Sequence, residues 1–371
     1  MFLLKVDYAK RVYGLDIYRA IAILLVVNVH GRYMLNGTWF ENFPWVVLPD
    51  GVELFFVLSG FLIGGILLKI LEKSNYQLSF KNTLHFWKRR WLRTLPNYYL
   101  ILLINALLVY FGVVTGRADA ISWKFILFIQ NFATPFSGFF WESWSLSIEE
   151  WFYFALPILL LLAGLLIPGR RTFLFIVLML IVLPLAYRIH ISDMKVNYYL
   201  WDVTFRKMVI TRLDTVIYGV LAAYLHRYFN ELWTRFKVQS FLIGLIIIFV
   251  TLYIEAEPES FFKKTFYFSL ISFGAMLLLP LAHSAKDFNS SFGKLITHIS
   301  LISYSMYLVN LGIVIAFINK NFPVLNPTDG SIKYILYWII VIALSTLIYR
   351  FFEKPIMDLR EKNLFRNFQN K

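Results

Sequence analysis

The stretch Ile17–Leu35, IYRAIAILLVVNVHGRYML, decides the fold. A helix rises 1.5 Å per residue, so about 20 mainly apolar residues cover a hydrocarbon core of roughly 30 Å. The run is continuously apolar rather than alternating, which predicts a membrane-crossing helix and excludes a barrel strand. It carries two ionisable residues, Arg19 and His30.

Nine further stretches of this kind follow, near Gly51–Leu71, Leu92–Val113, Trp144–Ile167, Thr172–His190, Arg206–Tyr228, Gln239–Ala256, Thr265–His283, Leu295–Asn319 and Lys333–Glu353. The segment Ile121–Ala133 is apolar but too short to cross, so it predicts a re-entrant or interfacial piece. The expected fold is therefore an all-α integral membrane protein of about ten transmembrane helices, with residues 1–371 forming one domain. Composition agrees: 59% of the 371 residues are apolar and only 16% charged, where soluble domains hold about a quarter charged residues. A soluble enzyme and a disordered chain are both excluded. The absence of cysteine removes disulfides, thiolate metal sites and cysteine nucleophiles.

The net charge of +14 is a matter of placement. With the N-terminus inside, 21 Lys and Arg fall on the cytoplasmic segments and 11 on the outer ones. This predicts a protein of the cytoplasmic (inner) membrane with both termini cytoplasmic, attracted to anionic lipid and needing no nucleic-acid partner. The basic N-terminus before an apolar run resembles a signal peptide, but no small-x-small site follows, so the first span is expected to stay uncleaved. No internal repeat is evident.

Ionisable groups inside a span are costly and mark functional candidates. Arg19 and His30 are eleven residues apart, about three turns, so they point the same way about 16 Å apart along the axis. The fourth span opens WSLSIEEWFY, and its depth count puts Glu149 or Glu150 level with His30. A carboxylate there would orient the imidazole and raise its basicity. Adjacent residues project about 100° apart, so only one can do so; we expect Glu149, with Glu150 available to Arg212. Arg212 and Asp214, in TRLDTVIYG, read either as a structural ion pair or as catalytic groups. Tyr304, Tyr307 and Asn310 form a polar stripe on the ninth span, either as helix–helix glue or as site residues. Lys88, Arg89, Arg90 and Arg93 at the inner end of the third span serve the positive-inside rule or bind a polyphosphate, and Arg19 nearby favours the second. Glu353 closes the last span on the same side and could pair with one of these arginines. The six histidines are scattered without HxxxH or HExxH spacing, so no metal site is expected. Gly60, Gly64 and Gly65 suit close helix packing.

With these residues in view, the chain resembles the membrane-bound acyltransferase-3 family over essentially its whole length. The hallmark is an arginine, ten residues and a histidine, here Arg19 and His30. The second-span signature GV(D/E)LFFVLSGFLI stands at Gly51–Ile63, and RRxxRxxP at Arg89, Arg90, Arg93 and Pro96. WSLSxEExFY matches Trp144–Tyr153, RxDxxxxG matches Arg212, Asp214 and Gly219, SYSxYL matches Ser303–Leu308, and ExP matches Glu353 and Pro355. Many members end the SYSxYL motif in histidine, whereas this chain has Asn310, which suits hydrogen bonding better than proton transfer. Some members carry a C-terminal esterase-like domain, and none is expected here.

The resemblance implies transfer of an acyl group, usually acetyl, from acyl-CoA (acetyl-CoA foremost) to a hydroxyl of an envelope glycan or glycolipid. Arg19, Arg89, Arg90 and Arg93 would hold the coenzyme A phosphates, with no metal required. His30, oriented by Glu149, would deprotonate the acceptor, either directly or through an acyl-histidine. Asn310, Tyr304 or Arg212 would stabilise the oxyanion. The competing expectation is a multi-pass transporter or flippase of a polysaccharide or lipid-linked intermediate, weakened by the missing repeat symmetry. The oligomeric state stays open.

Overall fold

The computed structural model describes residues 11–44, 50–114, 117–136, 138–254, 257–286, 290–323 and 327–359. These residues hold helices and turns and no β-strand. Ten helices stand where the apolar runs predict them. They are α1 (Tyr13–Gly31), α2 (Val52–Lys73), α3 (Phe80–Tyr110), α4 (Ser143–Leu166) and α5 (Arg170–His190). Then come α6 (Leu213–Tyr228), α7 (Lys237–Tyr253), α8 (Phe266–His283), α9 (Ser291–Val309) and α10 (Pro327–Ile348). Helix α9 runs on through a π-turn, Asn310–Ile315, into Ala316–Asn321, and α10 through a π-turn, Tyr349–Glu353.

Among the described residues, eight helices are long and apolar enough to cross a membrane; α6 and α7 fall short at 16 and 17 residues. The chain is a multi-pass membrane protein. Outward faces of α5 (Phe175, Leu178, Val182) and α7 (Ile243, Ile246, Phe249) are apolar and exposed, as lipid contact requires.

Two boundaries differ from the expectation. Helix α3 starts twelve residues earlier than Leu92, with the Ser79 hydroxyl accepting from the Asn82 amide at 3.2 Å. At 31 residues it is about 46 Å long, so its basic first turns stand beyond the hydrocarbon. Helix α6 begins at Leu213, not at Arg206. The chain before it makes a π-turn, Asp202–Arg206, and the Thr211 hydroxyl lies within hydrogen-bond reach of the carbonyls of Thr204, Phe205 and Met208. The expected re-entrant segment packs against this turn. The Val209 and Ile210 amides donate to the carbonyls of Asn131 and Phe132, and the Asn131 side chain donates to the carbonyl of Lys207. Irregular backbone survives at such a place because protein partners replace water.

Helices α2 and α6 run side by side at backbone contact. A Cβ on Gly60 would collide with the carbonyl oxygen of Val216, one on Gly219 with that of Val57, and Gly64 meets Val220 and Ala223. Gly65, grouped with them in the sequence, has nothing within 4 Å and takes no part in this contact. Farther along, Asp214 is fully buried and accepts a two-pronged hydrogen bond from Arg188, at 2.9 and 2.8 Å, plus one from Ser269 at 2.8 Å. This cluster ties α5, α6 and α8 together.

Gly60→Ala is expected to force α2 from α6 and cost about 1–3 kcal/mol, as overpacking does. Gly65→Ala should leave the thermal midpoint unchanged or slightly raised, since alanine favours helix. Thermal unfolding in detergent, followed by circular dichroism, separates the two; equal midpoints would contradict the contact.

Candidate active site

A cavity of about 250 Å³ opens between α1, α2, α3, α4, α9 and α10. One end is basic: Arg11, Arg19, Arg90 and Arg93 line it, with Glu149 and Glu353. Arg89 is exposed and absent from the lining, so of the four arginines expected to gather here, three do. Arg11 was not anticipated; the Asp16 carboxylate on the first turn of α1 holds its guanidinium there, Nε to Oδ2 at 2.7 Å.

Arg19 makes no hydrogen bond to a described residue, although Asp16, Arg90 and Glu149 are near enough for their charges to act on it. Arg90 donates to the Tyr153 hydroxyl and lies 4.1 Å from that ring's centroid, while its Nε is buried without a partner. Arg19 thus lines the cavity with donors unused, whereas the unpartnered Nε of Arg90 is buried away from it.

Glu149 does not meet His30. Its carboxylate accepts from Ser59 at 2.9 Å and from Tyr153 at 2.8 Å, and lies 3.7 Å from Arg90. Glu150 accepts from Thr94 at 2.9 Å rather than pairing with Arg212. The reason is depth. Helix α4 starts inside the bundle, because residues 138–142 already lie among its helices, so a count from the membrane surface misplaces both glutamates. Ser145 is level with Tyr307, their hydroxyls 2.5 Å apart. Asn310 stands one turn beyond Tyr307, and Glu149 one turn from Ser145 in the opposite direction, about 10 Å lower in all.

The partner of His30 is Asn310: Nδ1 and Oδ1 are 2.5 Å apart. The Asn310 carboxamide nitrogen donates to the carbonyls of Met306 and Tyr307 at 3.0 and 2.7 Å, so Oδ1 is the atom turned to the ring. An acceptor on Nδ1 places the proton there in the neutral imidazole and leaves Nε2 with its lone pair. The Asn310 amide thus has no donor to spare for an oxyanion. Tyr304 donates to the Thr94 carbonyl, and Arg212 to Glu53 and to the Arg206 carbonyl, with the Arg212 Nε buried and without a partner. Arg212 and Asp214 do not pair with each other either: Arg212 precedes α6 and turns to Glu53, whereas Asp214 in its first turn takes Arg188.

His30 itself does not line the cavity, whose upper end is closed by Val52, Phe55, Ser145 and Tyr307. One helical turn separates that closure from Asn310. Glu353, expected near the arginines, lines the basic end and accepts from Ser305 at 2.8 Å and Asn97 at 3.2 Å. Sequence reasoning also missed Glu142, fully enclosed, which accepts from the Gly312 amide at 2.5 Å and has its second oxygen unpartnered. The π-turn at Asn310–Ile315 frees that amide, a deviation without a sequence signal.

The peptidoglycan O-acetyltransferase OatA of Listeria monocytogenes is 28% identical over 390 residues, covering 98% of this chain and 58% of that protein. A Bacillus subtilis protein named "Putative peptidoglycan O-acetyltransferase YrhL" is 29% identical over 374 residues, covering 95% of this chain and 56% of its own length. A Staphylococcus aureus protein (strain COL) named "Putative O-acetyltransferase" is 29% identical over 384 residues, again 56% of its length. The chain therefore spans a little over half the length of the curated relatives it matches. The acyltransferase domain family matches residues 12–350, nearly the entire chain, and the protein belongs to that family.

Proposed function

We propose that the protein transfers an acyl group, acetyl foremost, from coenzyme A to a hydroxyl of an envelope glycan or glycolipid, with His30 as the base. The observation that carries this reading is the fixed imidazole of His30, Nδ1 engaged by Asn310, standing one turn above a cavity whose far end is lined by arginines.

Arg19, Arg90 and Arg93 offer the donors a diphosphate needs. Arg19 and His30 are about 16 Å apart along α1, a span that a pantetheine arm covers. The reading places the basic end in the cytoplasm, where coenzyme A is made, and both termini with it. His30 Nε2 accepts the proton of the acceptor hydroxyl as its oxygen bonds to the thioester carbonyl carbon. The carbon–sulfur bond then breaks, and Nε2 returns the proton to the departing thiolate. The charge balances without a metal. Ser145 and Tyr307 must part for the thioester to pass, since their paired hydroxyls close the cavity below His30.

His30→Ala is expected to reduce transfer from acetyl-CoA by about 10²–10⁴-fold, the worth of a general base, and to leave coenzyme A binding intact. Asn310→Ala should lower kcat by a smaller factor, about tenfold or more, with KM for acetyl-CoA unchanged. Purified protein in proteoliposomes with labelled acetyl-CoA and glycan acceptors provides the assay. Transfer at the wild-type rate by the His30 variant refutes the base, and label crossing the membrane without new ester favours a transporter.

Arg19→Met and Arg93→Met should each weaken coenzyme A binding by about tenfold or more, the loss of one charge-assisted hydrogen bond of roughly 1.5–3 kcal/mol. Arg89→Met should leave it unchanged. Calorimetric titration of the three variants decides between a phosphate site and a charge cluster that serves only to orient the chain.

A further inference from the structure

Helix α2 starts well inside the bundle. Gly51, just before it, abuts Ala22 and Leu25 of α1, the latter five residues and about 7.5 Å short of His30. The upper turns of α1 are therefore not flanked by α2, and a ring of charges stands at that level. The Arg206 guanidinium is held between Asp50 and Asp202, the second at 2.9 Å. Lys207 takes the other oxygen of Asp202. Arg206 lies 5.1 Å from the Trp144 ring centroid and Lys207 4.5 Å from that of Trp141. Asp50 and Arg206 keep 21% and 25% of their side-chain surface open. Asp50 precedes Gly51 and pairs with Arg206, so the ring of charges is tied to the His30 half of α1, away from the arginine-lined end of the cavity.

We propose that Asp50, Asp202, Arg206 and Lys207 form the acceptor subsite, and that it takes an uncharged pyranose through neighbouring hydroxyls. The proposal rests on His30 being the base that activates one of those hydroxyls. Carboxylates and cations side by side supply acceptors and donors together, which is what a diol with both lone pairs and protons demands. An anionic ligand suits the ring poorly. To reach Arg206 or Lys207 it would have to displace a carboxylate already bound there and sit beside the other. Burial alone would raise the Asp202 carboxyl, but Arg206 and Lys207 outweigh it and hold it below its ordinary range. The contrast with the far end is chemical: Arg19 there has unused donors for an anion, whereas Arg206 and Lys207 are already paired.

The test is equilibrium binding of two radiolabelled probes to the full chain in nanodiscs, the neutral tetramer of N-acetylglucosamine and the anionic tetramer of galacturonic acid. Wild type should bind the neutral probe about tenfold tighter than the anionic one. Asp50→Asn and Lys207→Gln should each weaken the neutral probe by about tenfold, with coenzyme A affinity unchanged as the check on folding. Preference for the anionic probe, no wild-type binding of the neutral probe at millimolar concentration, or unaltered binding by both variants overturns the subsite. Acetyl transfer to the neutral probe is followed in the same preparations. Binding as expected without transfer overturns His30 as base and leaves the subsite standing. Transfer with an unaltered acceptor KM in both variants overturns the subsite and leaves His30.

Discussion

The Asn310 carboxamide nitrogen is committed twice, to the carbonyls of Met306 and Tyr307, and the chemistry of the site depends on that commitment. In hydrocarbon a side-chain amide has no water to turn toward, so two carbonyl acceptors fix which end faces the histidine. The oxygen end faces it, Nδ1 of His30 carries the proton, and Nε2 is the atom left basic. Tyr337, 3.4 Å from the same oxygen and bonded to the Val27 carbonyl, closes the far side of the pair. A neutral partner orients the ring without adding a second charge to the membrane interior, where an extra carboxylate would be costly.

The site is consequently divided along α1. Unused donors and arginines gather at one end, paired charges at the other, and Ser145 with Tyr307 lies between them. Such a barrier has a physical use in any enzyme that meets one substrate from each side. A continuous opening lined by charges would conduct ions, whereas here a hydroxyl pair beside Phe55 and Phe56 stands between the two charged ends. The cavity walls agree with this division, being aromatic and aliphatic near α2 and charged near Arg19 and Arg93.

Much of this was legible in the residues. Continuous apolar runs located all ten helices, because a bilayer imposes length and hydropathy on every crossing segment. The eleven-residue interval put Arg19 and His30 on one side of α1, because helical periodicity is rigid. Partners were harder. Glu149 was placed beside His30 by a depth count that assumed α4 begins at the membrane surface; it begins inside, packed behind Phe139 and Phe140. Sequence proximity leaves Arg212 and Asp214 open as an ion pair or as catalytic groups, while the partner of Asp214 is Arg188, on the helix before. The π-turn that frees the Gly312 amide for Glu142 arises from tertiary packing and has no local signature.

The Arg212-Leu213-Asp214 run shows what such a motif does once its partners are known. Arg212 stands just before α6 and Asp214 in its first turn, and one arginine and one aspartate reach two different neighbours instead of each other. Asp214 secures α5 and α8 through Arg188 and Ser269, and Arg212 secures α2 through Glu53. Arg212 also donates to the carbonyl of Arg206, at 2.9 Å, and so holds the turn that carries Arg206 and Lys207 toward His30. Arg212 thereby keeps a short irregular segment in place, where an unsatisfied buried carbonyl would otherwise be costly.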